Sequence, residues 1–533
     1  MSQISCKQNR TNKHLNSSQL SRLSVLLSLI IGGAVFFSIV QPFLHQSWDS
    51  ATYVKLADSI IYHGSYDYDN IPHIKYPPGF PAILAPIAYY LDGEYIYFRA
   101  LIALFATINL YFLNILFQKT DYTSPPSNHF IRAVFPTLAC LLLISDVRYC
   151  ISSSYVLADV PFAAALTMTA YITVPIIEGS IMSRGRIFVS LVAVIFLSTL
   201  RIVGVAMGGA LFLWILTFWK SSHQRTKNYV FLLIIANVSV VVLWLLRSAI
   251  LAPSFPYDTL DHVGYLPELF TSGIGTVSAK QVSLYEAIVR VQENLHFIIN
   301  QLFITLSNQN LNSWYGPSFV TILSIFLLLG AAPGCCVSWF LAFIILVYGS
   351  IVALWEAEQG LRFSVPMAPL IYLYITKGFK QLYTRSNQSF RAVLCLLMVL
   401  ILIVRFKKVG DFIKYEQSRP YPRTQEEQQW LDVSEWLIKN LSDNQKFLAE
   451  DAPVLAHLSS RKGFAAPPDP SKLDSYIRAL KVEYILNREN MPWTNTIEKF
   501  ADINRYPEVA QTSGYRIYHI IQPDLINASQ NNQ

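Results

Sequence analysis

Two carboxylates, Asp49 and Asp159, and three cations, Lys75, Arg201 and Arg362, are the side chains whose types and positions could do chemistry. A carboxylate can take a proton from an attacking hydroxyl. Fixed cations stabilise the charge that develops on a departing phosphate. Together they suit group transfer from a phosphate-bearing molecule. Taken singly, each reads equally well as a solvated loop residue or a membrane anchor; their shared location gives the set its weight. Asp49 lies in the polar stretch Ser47 to Pro81, which contains Trp48-Asp49-Ser50-Ala51-Thr52-Tyr53 and Tyr76-Pro77-Pro78-Gly79-Phe80-Pro81. Trp48, Tyr53, Leu56, Ile60 and Ile61 make a short helical stripe there. Gly64 could stop that helix, and Pro77-Pro78-Gly79 forces a turn. Glu356 and Glu358 are alternatives for the second acidic group.

The elements that must position these residues are apolar. Of 533 residues, 53% are hydrophobic and only 14% charged, with mean hydropathy +0.36; soluble domains average about 25% charged residues. Apolar runs long enough to cross a bilayer recur along most of the chain. The net charge of +7 gathers in short loops between those runs, as in cytoplasmic loops, so it signals membrane topology and not nucleic-acid binding. The six cysteines show no metal or redox spacing. Lys7, Arg10, Lys13 and Arg22 precede the first run, which lacks a clear small-residue cleavage site. It is expected to be an uncleaved first span with a cytoplasmic N-terminus.

In order, that span is Leu23 to Leu44. Phe80 to Leu91 is too short to cross and is expected at the interface. Further spans are expected at Tyr95 to Phe117, Ala133 to Ile144 and Asp159 to Ile177. Ile187 to Trp219 is 33 residues. As one helix it would be about 50 Å long, against a hydrocarbon core of about 30 Å. It also carries Arg201 near its middle, where an arginine costs at least about 2.5–3.5 kcal/mol on insertion scales. Two short spans meeting at Arg201 to Gly204 resolve both problems. Spans follow at Val230 to Leu251, Phe319 to Leu329, Val337 to Leu354, Phe363 to Thr376 and Ala392 to Val404.

The expected fold is therefore an all-α polytopic membrane bundle of about eleven transmembrane helices with a small C-terminal extracytoplasmic α/β domain. Residues 1–22 form the cytoplasmic N-terminus, 23–405 the membrane domain and 406–533 the C-terminal domain. Outside loops are expected at about 45–94, 145–158, 252–314 and 355–362. Within the loop from Ala252 to Trp314, Ser283 to Phe303 has amphipathic helical character. In the tail, Arg423 to Leu441 suits a helix with Trp430, Leu431, Trp436 and Leu437 on one face. Lys446 to Ala449, Val482 to Leu486 and Gly514 to Ile521 read as strands.

In order and sidedness these pieces resemble the GT-C class of polyprenyl-phosphate-sugar glycosyltransferases, especially the bacterial branch similar to protein O-mannosyltransferases and the lipid A aminoarabinose transferase. The pieces are Trp48-Asp49-Ser50-Ala51-Thr52-Tyr53, then Tyr76-Pro77-Pro78-Gly79-Phe80-Pro81. After them come Asp159-Val160-Pro161, Thr199-Leu200-Arg201 before Gly204, and Gly360-Leu361-Arg362-Phe363-Ser364-Val365-Pro366. The resemblance implies that Asp49 is the general base on the acceptor hydroxyl, giving inversion. It implies that Lys75, Arg201 and Arg362 hold the donor phosphate, and that Asp159 orients the acceptor or helps to bind a divalent metal. Tyr53 and Tyr76 would line the site. Two departures are Ser50, where many relatives carry a second acidic residue, and Tyr76 between Lys75 and Pro77-Pro78. The implied partners are a polyprenyl-phosphate-linked sugar and an acceptor glycan, lipid or protein. The implied setting is a multi-pass bacterial inner membrane. A surface-polysaccharide polymerase or ligase and a lipid-linked sugar transporter are the competing readings; charges at span ends on one side argue against the transporter.

Overall fold

A computed structural model of the chain describes residues 2–42, 48–91, 94–120, 129–180, 183–252, 265, 270–272, 280–307, 316–331, 336–355, 362, 364–418, 424–467, 473–488 and 506–520. Its helices are α1 (Ser2–Ser38), α2 (Trp48–Asp58), α3 (Gly79–Tyr90), α4 (Tyr95–Thr120), α5 (His129–Ile144), α6 (Val147–Ser154), α7 (Asp159–Ile177), α8 (Arg184–Leu200), α9 (Val205–Phe218) and α10 (Gln224–Leu251). They continue as α11 (Leu284–Ser307), α12 (Gly316–Ala331), α13 (Cys336–Leu354), α14 (Ala368–Arg385), α15 (Gln388–Ser418), α16 (Gln425–Asn440), α17 (Ala452–Ser459) and α18 (Leu473–Leu480). Short hairpins pair β1 (Asp67–Tyr68) with β2 (Ile71–Pro72), and β3 (Thr271–Ser272) with β4 (Lys280–Gln281).

Among the described residues six helices, α1, α4, α7, α10, α13 and α15, are long and apolar enough to cross a membrane, or up to seven if the bent α5–α6 pair is one span. One apolar core joins these helices to α2 and α3. Bare backbone brings some of them together: a Cβ on Gly378 of α14 would run into the Phe326 carbonyl of α12.

Several boundaries differ from the sequence expectation, each for a local reason. The first helix ends at Ser38 and not at Leu44, because buried Arg99 of α4 takes the carbonyls of Ile39 at 2.9 Å and Gln41 at 3.5 Å. The expected loop 145–158 contains α6, bent by 62° from α5. Asp146 caps it, accepting from the amides of Arg148 at 3.0 Å and Tyr149 at 3.3 Å. The last expected span runs beyond Val404 to Ser418, so the boundary drawn at 405/406 falls inside a helix. Buried Arg405 is accommodated there by Ser145 Oγ at 3.0 Å and the Tyr372 hydroxyl at 2.6 Å.

The C-terminal part is a three-layer α/β unit. Its strands are β5 (Lys446–Ala449), β6 (Lys462–Ala465), β7 (Tyr484–Arg488), β8 (Glu508–Thr512) and β9 (Tyr515–His519), in the order β6-β5-β7-β9-β8. β5 pairs in parallel with β6 and β7, and β9 pairs antiparallel with β7 and β8. Alternate residues separate two cores, as strand geometry requires. Phe447, Leu486 and Ile517 meet α16 and α17 on one face; Leu448, Ile485 and Tyr518 meet α18 on the other. On α16 the buried stripe is Trp430, Val433 and Leu437, following the 3.6 period; Leu431 and Trp436 flank it half-buried.

This unit rests on the first inter-helix segment. Trp48 packs against the α16–α17 core, and Ile71 joins the α18 core. Lys55 of α2 pairs with Asp69 at 2.8 Å, and Asp69 Oδ2 accepts the Gly463 amide at 3.2 Å.

Candidate functional site

Asp49 stands in the first turn of α2, where the helix dipole favours a carboxylate. Tyr53 follows one turn later on the same face. Its ring lies 4.7 Å from that of Tyr76 and edge-on to Phe80 at 4.9 Å. The Tyr76 hydroxyl donates to Asp49 Oδ1 at 2.5 Å. Lys75 is buried within electrostatic reach of Asp49, its ammonium 5.7 Å from the Tyr76 ring centre. α10 supports this segment from behind. Arg247 donates to the His73 carbonyl at 2.6 Å and Ser248 to that of Ile74 at 2.9 Å. The Tyr76 amide donates to His73 Nε2 at 2.9 Å.

Asp159 opens α7 and is fully buried. Arg201 sits at the break that divides the long apolar stretch, in extended backbone between α8 and a 3-10 turn at Ile202–Gly204. The break aims its guanidinium at Asp159 Oδ1, with which it pairs. Gly79 at the start of α3 touches the same break: a Cβ there would lie 2.5 Å from the Thr199 carbonyl. Only a glycine lets the Pro77-Pro78 turn pack this closely against the end of α8.

Arg362 closes the arrangement. Its Nη1 lies 2.5 Å from Asp49 Oδ2 and its Nε 3.3 Å from Asp159 Oδ2. A continuous chain therefore runs Tyr76, Asp49, Arg362, Asp159, Arg201. Arg362 and Asp49 keep 30% and 21% of their side chains exposed, whereas Arg201 keeps 13% and Asp159 none. The accessible end is thus the Asp49 end. Three cations face two carboxylates, one formal positive charge in excess, which suits an anionic ligand.

Burial alone would raise the pKa of Asp49. The Arg362 guanidinium, then Lys75, then the Tyr76 hydrogen bond outweigh it and hold the carboxyl at about 2. Burial and the adjacent Asp49 push the Tyr76 phenol well up, so it stays a donor.

The residues singled out in the sequence, Asp49, Asp159, Lys75, Arg201, Arg362, Tyr53 and Tyr76, all gather here. Glu356 and Glu358 lie outside the described residues. Among the described residues no group of three or more His, Cys, Asp or Glu could hold a metal ion. A divalent cation between Asp49 and Asp159 would have to displace Arg362. Sequence reasoning missed Arg247, an arginine at the end of a span that reads as an anchor. It missed Tyr348 of α13, buried within electrostatic reach of Arg201 and Asp159, because an aromatic in an apolar run carries no signal. It also missed Asp451, whose carboxylate reaches Trp48 from the distant tail.

No protein-family profile matches the chain, and no curated protein matches it in sequence. Solved structures do match in fold. ArnT from Cupriavidus metallidurans bound to undecaprenyl phosphate is 12% identical with a TM-score of 0.59, over 94% of this chain and 98% of that one. The oligosaccharyltransferase AglB from Archaeoglobus fulgidus, in complex with an inhibitory peptide and a dolichol-phosphate, is 11% identical with a TM-score of 0.57, over 94% of this chain and 74% of that one. The fold of this chain is thus the GT-C fold to which its sequence motifs point.

Proposed function

We propose that the protein is an integral-membrane glycosyltransferase that moves a sugar from a polyprenyl-phosphate donor to an acceptor hydroxyl on the extracytoplasmic side. The observation that carries this reading is the meeting of Asp49, Arg362, Asp159 and Arg201 in one half-open, cation-rich site. The ArnT and AglB structures, with their polyprenyl-type phosphates, support the donor class.

The acceptor oxygen attacks the anomeric carbon from the face opposite the phosphate, and its proton passes to Asp49. The bond from that carbon to the phosphate oxygen breaks, and polyprenyl phosphate leaves. Configuration inverts. A carboxylate held at about 2 is a weak base, so activation needs a change in its partners. An arriving phosphate competes for Arg362, Arg201 and Lys75. As Arg362 turns toward it, Asp49 loses its strongest cation and gains basicity when substrate is bound. Asp159 stays fixed by Arg201 and orients the acceptor or the guanidinium.

The same reading takes α8, α9, α12 and α14 as crossing segments beside the six long helices and the α5–α6 pair, about eleven in all. It puts the Asp49 side and the C-terminal unit outside, opposite the Lys/Arg-rich loops, in a bacterial inner membrane.

The test is transfer by purified protein from polyprenyl-monophosphate and polyprenyl-diphosphate sugars to a cell lipid and glycan extract. Monophosphate donors are expected to react, and Asp49→Asn to lower transfer about 10²–10⁴-fold while the protein still inserts. Undiminished transfer by Asp49→Asn would remove Asp49 from the mechanism, and reaction of diphosphate donors alone, or no transfer at all, would overturn the reading.

A further inference from the structure

Asp49 follows directly after Trp48, and Trp48 belongs to two parts of the molecule at once. Its backbone opens α2. Its indole packs on the core that α16 and α17 make with the C-terminal sheet, and its Nε1 donates to Asp451 Oδ1 at 3.2 Å. Asp451 is only 4% exposed and is itself fixed by the sheet. Its Oδ2 accepts from the Tyr515 hydroxyl of β9 at 2.7 Å and from Arg488 Nη1 of β7 at 3.2 Å. Arg488 is held in turn by Glu426 of α16 at 2.7 Å. Hydrogen bonds to a carboxylate are stronger than those between neutral groups. The first turn of α2 is thus fastened through one indole N–H to a carboxylate that three elements of the C-terminal unit orient.

We infer that Asp451 is a positioning residue for the transfer reaction: acting through Trp48, it sets where the first turn of α2 presents Asp49 to Arg362, Tyr76 and the acceptor. This rests on the reading of Asp49 as the base and extends it, making the C-terminal unit part of the active assembly. A base must sit within hydrogen-bond reach of the proton it removes, and small misplacements cost large factors in rate. Asp451 itself touches none of the reacting groups.

The experiment compares wild type, Trp48→Phe, Asp451→Ala and the double variant as full-length protein. The donors are polyprenyl-phosphate-[14C]mannose and polyprenyl-phosphate-[14C]glucose, and competent sites are counted with radiolabelled undecaprenyl phosphate. Trp48→Phe keeps an aromatic ring on that core and removes the indole N–H, so it tests the link even if Asp451→Ala fails to fold. The expected result is a fall of about tenfold in kcat per competent site, with the donor KM changed less than twofold. The double variant should fall no further than the worse single one, since both cut the same link. Unchanged kcat per site in Trp48→Phe, or multiplicative losses in the double variant, would overturn the inference. Asp49→Asn is run alongside. If it transfers normally, Asp49 is not the base, and the reading on which the inference rests fails. If it is inactive and Trp48→Phe is unaffected, only the positioning role fails.

Discussion

Arg362 holds Asp49 and Asp159 together, and the planar, forked guanidinium is what allows one side chain to serve two carboxylates. A lysine in its place is a point charge and can satisfy only one of them well. Arg362→Lys is therefore expected to lower transfer about 10²-fold, chiefly in kcat, measured by steady-state kinetics on the purified protein. The depressed pKa of Asp49 also makes a statement about stability. The folded value of about 2 lies below an unfolded value near 3.9. Its contribution is therefore fully present above about pH 4 and is lost as pH falls through about 2. The expected outcome is that Asp49→Asn unfolds at lower temperature than wild type at pH 7 in detergent, and that the gap closes between about pH 4 and pH 2. A gap that widened on acidification would contradict the ion-pair account.

Single elements matter here mainly through their ends. α2 presents Asp49 from its first turn, α7 presents Asp159 from its first residue, and α8 stops where Arg201 is needed. The contact of Gly79 with Thr199 ties the Pro77-Pro78 turn, and with it Tyr76 and Lys75, to the Arg201 break. Gly79→Ala forces a methyl against backbone that cannot yield. Overpacking of this kind costs about 1–3 kcal/mol. The expected result is a lower unfolding temperature together with a several-fold loss of transfer. The break at Arg201 was legible in the sequence, because no single helix of that length and charge fits a bilayer. Helix α6 was not, because Asp146 and Arg148 make it look like a solvated loop, although Asp146 is spent on capping and on Tyr372, whose hydroxyl donates to it at 2.8 Å.

At the scale of the whole molecule, the C-terminal unit and the Asp49 segment share cores and the hydrogen bonds of Gly463 to Asp69 and of Trp48 to Asp451, so they must lie on one side of any membrane the bundle spans. Impermeant maleimide should label Lys439→Cys, a well-exposed position at the end of α16, in intact cells with other cysteines removed. It should reach Ser221→Cys, in the basic turn before α10, only after permeabilisation. The reverse pattern would invert the proposed topology.

The sequence by itself determined the membrane class, the broken span and the seven side chains that the structure brings together. Hydropathy, helix length and residue chemistry are properties of segments, and segments can be read one at a time. Only the tertiary structure decided that Arg362 bridges both carboxylates, that Gly79 meets Thr199, and that Asp451 reaches back across most of the chain to Trp48. Those contacts join residues far apart in the chain, and no local pattern encodes which distant partner a buried charge or an indole will find.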